Sequence, residues 1–193
     1  MKKILAILVL SLFIFNLNTV SAYTEKEKLS ADFLSYKDII NTQENWEWYK
    51  LDKEITRREM AKVTLNLSGV LVRNQCSGKF SDLKSWDWGC KYVEAWLSNS
   101  FFAQNNNFNP DNNISKIEAL KMVMKGRKIE KEITDDWREG YVNSALKAGL
   151  LEEKFYDYDT RATRWWIFVM AKQAIEYSWD DEDIKLIEEL LNL

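Results

Sequence analysis

Residues 55–59 read Ile55-Thr56-Arg57-Arg58-Glu59, and the run Met60, Val63 and Leu67 that follows is apolar at helical spacing. The pattern predicts a helix start. Thr56 at the N-cap accepts a hydrogen bond from the amide three residues on, and Glu59 reaches back to the amide of Thr56. Such a capping box satisfies two otherwise orphaned donors with one four-residue pattern. The box returns as Ile114-Ser115-Lys116-Ile117-Glu118, with Leu120 and Val123 continuing the apolar face. A third copy, Ala162-Thr163-Arg164-Trp165-Trp166, keeps the Thr-Arg pair but has Trp where the glutamate would stand.

The likeness extends upstream. Asp52, Asp111 and Asp159 precede the three boxes by the same interval. Tyr92-Val93 and Leu97 match Tyr141-Val142 and Leu146, Phe108 matches Tyr156, and Asn109-Pro110-Asp111 matches Asp157-Tyr158-Asp159. The offset between the second and third copies is 49 residues at the leading helix and 48 at the capped one. A period of about 20–50 residues is the mark of a repeat architecture, in which one unit cannot bury its own apolar face. The unit reads as helix, loop, Asn/Asp-rich turn, capped helix. Helix formers dominate, with one Pro and six Gly in 193 residues. The expected fold is therefore all-α: three helix-loop-helix repeats, at about 29–72, 79–126 and 133–178.

This arrangement resembles the S-layer homology domain of bacterial cell envelopes. The marks are the aromatic-x-Asp opening Phe80-Ser81-Asp82, the Phe-x-Pro segment Phe108-Asn109-Pro110-Asp111, and the helix start Ile55-Thr56-Arg57-Arg58-Glu59. The likeness covers roughly Leu29 to Tyr177, with the middle repeat the most complete. It implies a pseudo-threefold helical bundle that binds cell-wall polysaccharide, often pyruvylated, in grooves between repeats. It also implies a contact with the acidic sugar from the basic residue after each capping Thr or Ser, which here means Arg57, Lys116 and Arg164. Lysine lacks the two-pronged carboxylate contact of arginine, so the groove at Lys116 is expected to be weaker. Asp82, Trp86 and Trp88 complete the expected binding set. For the two tryptophans, packing against a disulfide and the neighbouring repeat competes with sugar stacking, and packing is favoured for at least one.

Outside the repeats, Lys2 and Lys3 precede the apolar run Ile4–Phe15, and Val20-Ser21-Ala22 offers small residues for a signal peptidase. Residues 1–22 are read as a secretory signal cleaved after Ala22, its apolar run being short of the about 20 residues a spanning helix needs. Residues 23–28 are charged and read as a flexible lead-in to a first helix at 29–40. Further helices are expected from Thr56 to about Val72, over 91–99, from Ser115 to Gly126, over 135–148, and after Thr163, the last largely buried with Trp165 and Trp166. Residues 179–193 place acids before Ile184, Leu186, Ile187, Leu190 and Leu191, an amphipathic tail helix.

Cys76 and Cys90 are the two cysteines. In an exported chain an even pair reads as a disulfide, with two buried thiols as the alternative. Two Cys without His do not complete a zinc shell, so no metal is expected, nor any cofactor. The absence of histidine removes Ser-His-Asp and Cys-His catalysis. A carboxylate pair such as Asp157 and Asp159 is the remaining enzymatic option, as a glycosidase, and the chain is read as non-catalytic. The formal charge is −3, and loss of the signal with Lys2 and Lys3 takes it to −5, with no basic stripe for nucleic acid. The expected role is adhesion of an exported protein to wall polysaccharide at the cell surface. The alternative is a helical interaction or structural protein that holds a surface partner through the tail helix.

Overall fold

The computed structural model describes residues 23–99, 101–102 and 105–177. The signal segment and the tail helix lie outside the described residues. Among the described residues six α-helices follow in order: α1 Glu25–Tyr36, α2 Arg57–Ser68, α3 Cys90–Ser98, α4 Lys116–Gly126, α5 Trp137–Lys147 and α6 Arg164–Glu176. A short 3-10 turn, Trp46–Tyr49, lies between α1 and α2. The described chain is all-α, with isolated β-bridges and no named strand.

Both complete capping boxes form as the sequence predicts, at Thr56 and Ser115. Thr163 sits at the third N-cap in extended conformation but makes no side-chain cap bond, and Trp166 leaves no carboxylate to accept from its amide. A further box begins α1. Thr24 accepts from the amide of Glu27, whose carboxylate accepts from the amide of Thr24. Helix therefore starts at Glu25, and 25–28 is not the flexible lead-in that its charge suggested. The helix from Thr56 also stops short of Val72. It ends at Ser68 because Gly69 takes a left-handed φ of 68°. Gly126 is the last residue of α4. A Cβ there would meet Thr64 Cγ2 at 2.9 Å, so glycine is what lets α4 approach α2.

The leading helix of each predicted unit packs against the capped helix of the unit before it. α3 lies on α2, α5 on α4, and α1 on α6, while α4 also packs on α2 and on α6. The core collects Leu34, Met60, Leu65, Leu120, Met124 and Ile167, all essentially inaccessible. A second cluster joins Phe80, Trp96, Phe102 and Phe108, with ring centroids 4.8–6.3 Å apart.

The three segments that enter the capped helices meet one another. Ile55 N–H donates to Ala162 O at 3.0 Å, Ala162 N–H to Ile114 O at 3.0 Å, and Ile114 N–H to Ile55 O at 3.1 Å. The three bonds close a ring. A second set lies outside it: Arg57 N–H to Asn112 O, Lys116 N–H to Thr160 O, and Arg164 N–H to Lys53 O, at 2.8–2.9 Å. A third set runs from Arg58 to Pro110, Ile117 to Tyr158, and Trp165 to Leu51, at 2.8–3.3 Å. The first amides of a helix have no partner within it. Here the N1 and N2 donors of α2, α4 and α6 are each satisfied by the turn that precedes another of these three helices. The helix starts thus cannot be completed one at a time.

The capping difference gives an expected outcome. Thr56→Ala and Ser115→Ala should each lower unfolding free energy by about 1 kcal/mol, whereas Thr163→Ala should cost clearly less. Urea midpoints of the three variants check this.

Candidate functional site

The turns that feed the ring are built on the marks read from the sequence. Phe108 is a plug, 1% exposed, and Asn109 takes a left-handed φ of 57°. Pro110 presents its carbonyl to α2, and Asp111 forms an ion pair with Arg58. Asp82 holds this turn by accepting from the amides of Phe108 (2.9 Å) and Asn109 (2.7 Å). The same turn precedes α2. Tyr49 is buried, Lys50 has φ 49°, Leu51 presents its carbonyl to α6, and Asp52 accepts from the Tyr23 hydroxyl. The shared aromatic-x-apolar-Asp spacing of Tyr49-Lys50-Leu51-Asp52 and Phe108-Asn109-Pro110-Asp111 was the available signal for it. In the third copy the match of Tyr156 to Phe108 fails in space. Tyr156 is 73% exposed, and Phe155 turns inward to meet Trp166 edge-on at 5.7 Å.

Arg57, Lys116 and Arg164 occupy N1 of their helices and lie within reach of another copy. Arg57 donates through Nε to Phe108 O (2.9 Å) and through a terminal nitrogen to Glu118 (3.4 Å), with its guanidinium 5.0 Å from the Phe108 ring centre. Arg164 donates to Tyr49 O (3.1 Å) and to Glu59 (2.6 Å). Glu59 and Glu118 therefore each do two things. One oxygen closes the helix's own capping box, and the other receives the arginine of a different copy. Trp166 breaks this scheme in the third copy. Lys116 finds Asp157 instead, at 2.7 Å, and lies 5.7 Å from the Phe155 ring centre. The Lys116 ammonium holds the Asp157 carboxyl below the usual carboxylate range, against a smaller upward push from burial. A general acid needs the opposite shift, so Asp157 is poorly suited to the glycosidase pairing considered with Asp159.

Clefts open beside these contacts. One, of about 270 Å³, lies against the Arg164–Glu59 pair and is walled by Asn41, Trp48, Tyr49, Lys62 and Trp88. Trp48 and Trp88 are about half exposed. Lys62 donates to Asn41 Oδ1 at 2.6 Å, and its ammonium stands 6.0 Å from the Tyr92 ring centre. Burial, and to a lesser degree the neighbouring Lys91, pull the Lys62 amine below its ordinary pKa. The arrangement repeats one copy on. Lys121, five residues after Lys116 as Lys62 is after Arg57, lies 5.4 Å from the Trp137 ring centre. The pairs Trp88–Tyr92 and Trp137–Tyr141 are both edge-on, at 6.2 and 6.0 Å. Another cleft, of about 340 Å³, takes in Lys116, Phe155, Trp165 and Trp166. Trp165 is thus part of an open wall, not of a largely buried helix face. Lys62 and Trp48 were not singled out in the sequence, where a half-buried lysine and a loop tryptophan carry no local signature.

Cys76 and Cys90 form a disulfide with Cα atoms 5.7 Å apart. Glu94 lies behind it and accepts from Ser77 N–H (2.8 Å), Ser77 Oγ (2.6 Å) and Lys79 N–H (2.9 Å). Burial pushes the Glu94 carboxyl up, but these donors outweigh it and hold the group below its usual range. Disulfide and carboxylate together brace the loop that carries Trp86 and Trp88. Trp86 is 84% exposed, so it does not pack on the disulfide. Trp88 meets Tyr92 and lies 5.9 Å from the Arg58 guanidinium.

Comparison with known proteins agrees with this geometry. Residues 79–120, from the strap before Phe80 into α4, match the model of the S-layer homology domain. Within that stretch the chain is similar to the S-layer homology domain. The match takes in the aromatic-x-Asp opening, the Phe108 turn and the second capping box. The middle cell wall protein of Brevibacillus brevis is 25% identical over 132 residues, which are 66% of this chain and 12% of that protein. The chain thus corresponds to a small part of that relative. Among the described residues no helix is long and apolar enough to cross a membrane.

The two modes of pinning predict different costs. Arg164→Ala strands the part-buried Glu59 carboxylate and the Tyr49 carbonyl, and should destabilise by about 1–3 kcal/mol. Lys116→Ala frees an Asp157 that is half exposed and should cost under about 1 kcal/mol. Denaturant titration of both variants checks the order.

Proposed function

We propose that this chain is a non-catalytic, exported module that attaches to the bacterial cell surface by binding acidic wall polysaccharide, including pyruvylated forms. Three S-layer homology-like repeats stand about a common axis, and glycan lies in the clefts between them. The ring of Ile55, Ile114 and Ala162 supports this arrangement, since each copy donates to one neighbour and accepts from the other.

One observation carries the binding reading. In the cleft beside Arg164, the Lys62 ammonium is partly desolvated and has an amide oxygen, not a carboxylate, as its hydrogen-bond partner. Two half-exposed indoles flank it. A cation without a carboxylate partner, beside flat apolar rings, suits a sugar that carries an acid group. The ring stacks, and the carboxylate completes the charge pair. A charge-assisted hydrogen bond of this kind contributes about 1.5–3 kcal/mol. Arg164 uses two of its N–H groups on the protein and has others left for ligand. Lys116 walls the cleft of Phe155, Trp165 and Trp166, and Arg57 stands at the same helix position in its own copy. The part-filled contacts of Lys116 and the missing carboxylate at Trp166 favour unequal clefts. Several weak clefts on one repetitive polymer reinforce one another through effective concentration.

Lys62→Gln should weaken retention of the protein on purified acidic wall polysaccharide by about 10- to 100-fold, as the quoted bond strength implies. Trp48→Ala should weaken it similarly, with unfolding midpoints close to the parent's for both. Undiminished retention in the Lys62→Gln/Trp48→Ala double variant would remove this cleft as the binding site.

A further inference from the structure

The cleft beside Arg164 does not end at Lys62. A second depression, of about 510 Å³, shares Asn41, Lys62 and Trp88 with it and continues over the disulfide loop. Its far side is formed by Asn74, Ser85, Trp86, Lys91 and Tyr92. The chemistry repeats that of the first cleft. Lys91 has Asn74 Oδ1 as its hydrogen-bond partner at 3.2 Å and lies 5.3 Å from the Tyr92 ring centre. Among the described residues, no carboxylate lies within ion-pair distance of Lys62 or Lys91. The one acid on the wall, Asp87, is taken by Arg58 at 2.5 Å. Two ammonium groups are therefore held near each other without counter-charge. Protein surfaces usually relieve such a pair with an acid or turn the lysines outward. Here Lys62 is half-buried and hydrogen-bonded in place. Trp86, at 84% exposure, stands on a loop that is anything but loose. The loop is tied by the Cys76–Cys90 bond and by three hydrogen bonds to Glu94. An indole fixed in that position keeps a large apolar face in water at a standing free-energy cost, which stacking against a sugar ring would offset.

We propose that the disulfide loop forms a second subsite, in which Trp86 and Lys91 hold a further acidic residue of the same polysaccharide whose first acidic residue lies beside Lys62 and Arg164. This rests on the glycan-binding reading above and adds a direction to it: the polymer leaves the inter-repeat cleft across Trp88 and runs toward Asn74. The occupant is one continuous acidic glycan, because the two clefts share a wall and each offers one uncompensated ammonium beside aromatic rings. The subsite then contributes only to ligands long enough to reach it.

The test uses the chain from Tyr23 onward with its disulfide intact, and two probes: a pyruvylated oligosaccharide with one acidic residue, and an otherwise identical chain with three. Titration calorimetry is run on the parent and on the Trp86→Ala/Lys91→Gln double variant, with thiol titration and near-ultraviolet circular dichroism confirming the bridge and the packing. The parent should bind the longer probe at least 10-fold more tightly than the shorter. The double variant should lose that margin while keeping parental affinity for the short probe within about twofold. Unchanged affinity for the long probe in the double variant would overturn the second subsite alone. Equal losses on both probes would also overturn it, since Trp86 and Lys91 would then belong to the first site. A parent that binds neither probe would overturn the glycan-binding reading and this inference together.

Discussion

Three backbone hydrogen bonds govern this structure. The amides of Ile55, Ile114 and Ala162 each donate to the carbonyl of another member of the set, and the set closes on itself. Around that ring, the first two amides of α2, α4 and α6 each donate to a turn belonging to a different copy. These donors are the ones a helix cannot satisfy internally, and buried backbone donors are seldom left without partners. A helix pair taken alone would have an unfinished helix start and an uncovered apolar face. The packing repeats the point, since each leading helix lies on a capped helix of another unit. Cooperation between copies is thus built in at the level of the backbone, before any side chain is considered.

Side chains then use the same junctions. A glutamate at N3 serves its own capping box with one oxygen and a neighbour's arginine with the other. The Thr-Arg-x-Glu grammar is therefore two contacts written in one motif, one local and one between copies. Where Trp166 replaces the glutamate, both contacts change together. Thr163 loses its side-chain cap, and Lys116 turns to Asp157. The clefts follow from this wiring. Two of them take in junction residues, Arg164 with Glu59 in one and Lys116 in the other, so side chains that hold the copies together also line these clefts.

Much of this was legible in the sequence because its signals are short-range. The boxes at Thr56 and Ser115, the Phe108 turn, the cysteine pair and the repeat period each depend on residues close in the chain or on simple parity. The box at Thr24 was equally local, but a run of charges obscured it. Gly69 ended α2 early, where the apolar residues Val70 and Val72 argued for continuation. The ring was not legible, because hydrogen bonds between backbone groups far apart in sequence leave no residue-type signature. Lys62, Lys91 and Trp48 were missed for a related reason. Their significance lies in what they lack, a carboxylate partner or a covering side chain, and that appears only when distant segments are brought together. Tyr156 shows the converse, since its alignment with Phe108 was sound in register while the ring that turns inward, partly buried, is Phe155.

The most direct test of the account is native-state hydrogen exchange at the amides of Ile55, Ile114 and Ala162 as denaturant is raised toward the unfolding transition. A closed ring that joins three mutually dependent units predicts that all three amides exchange only through global opening, with equal free energies and the full denaturant dependence of unfolding. Exchange of any one of them through a local, denaturant-independent opening, while the other two stay protected, would contradict it.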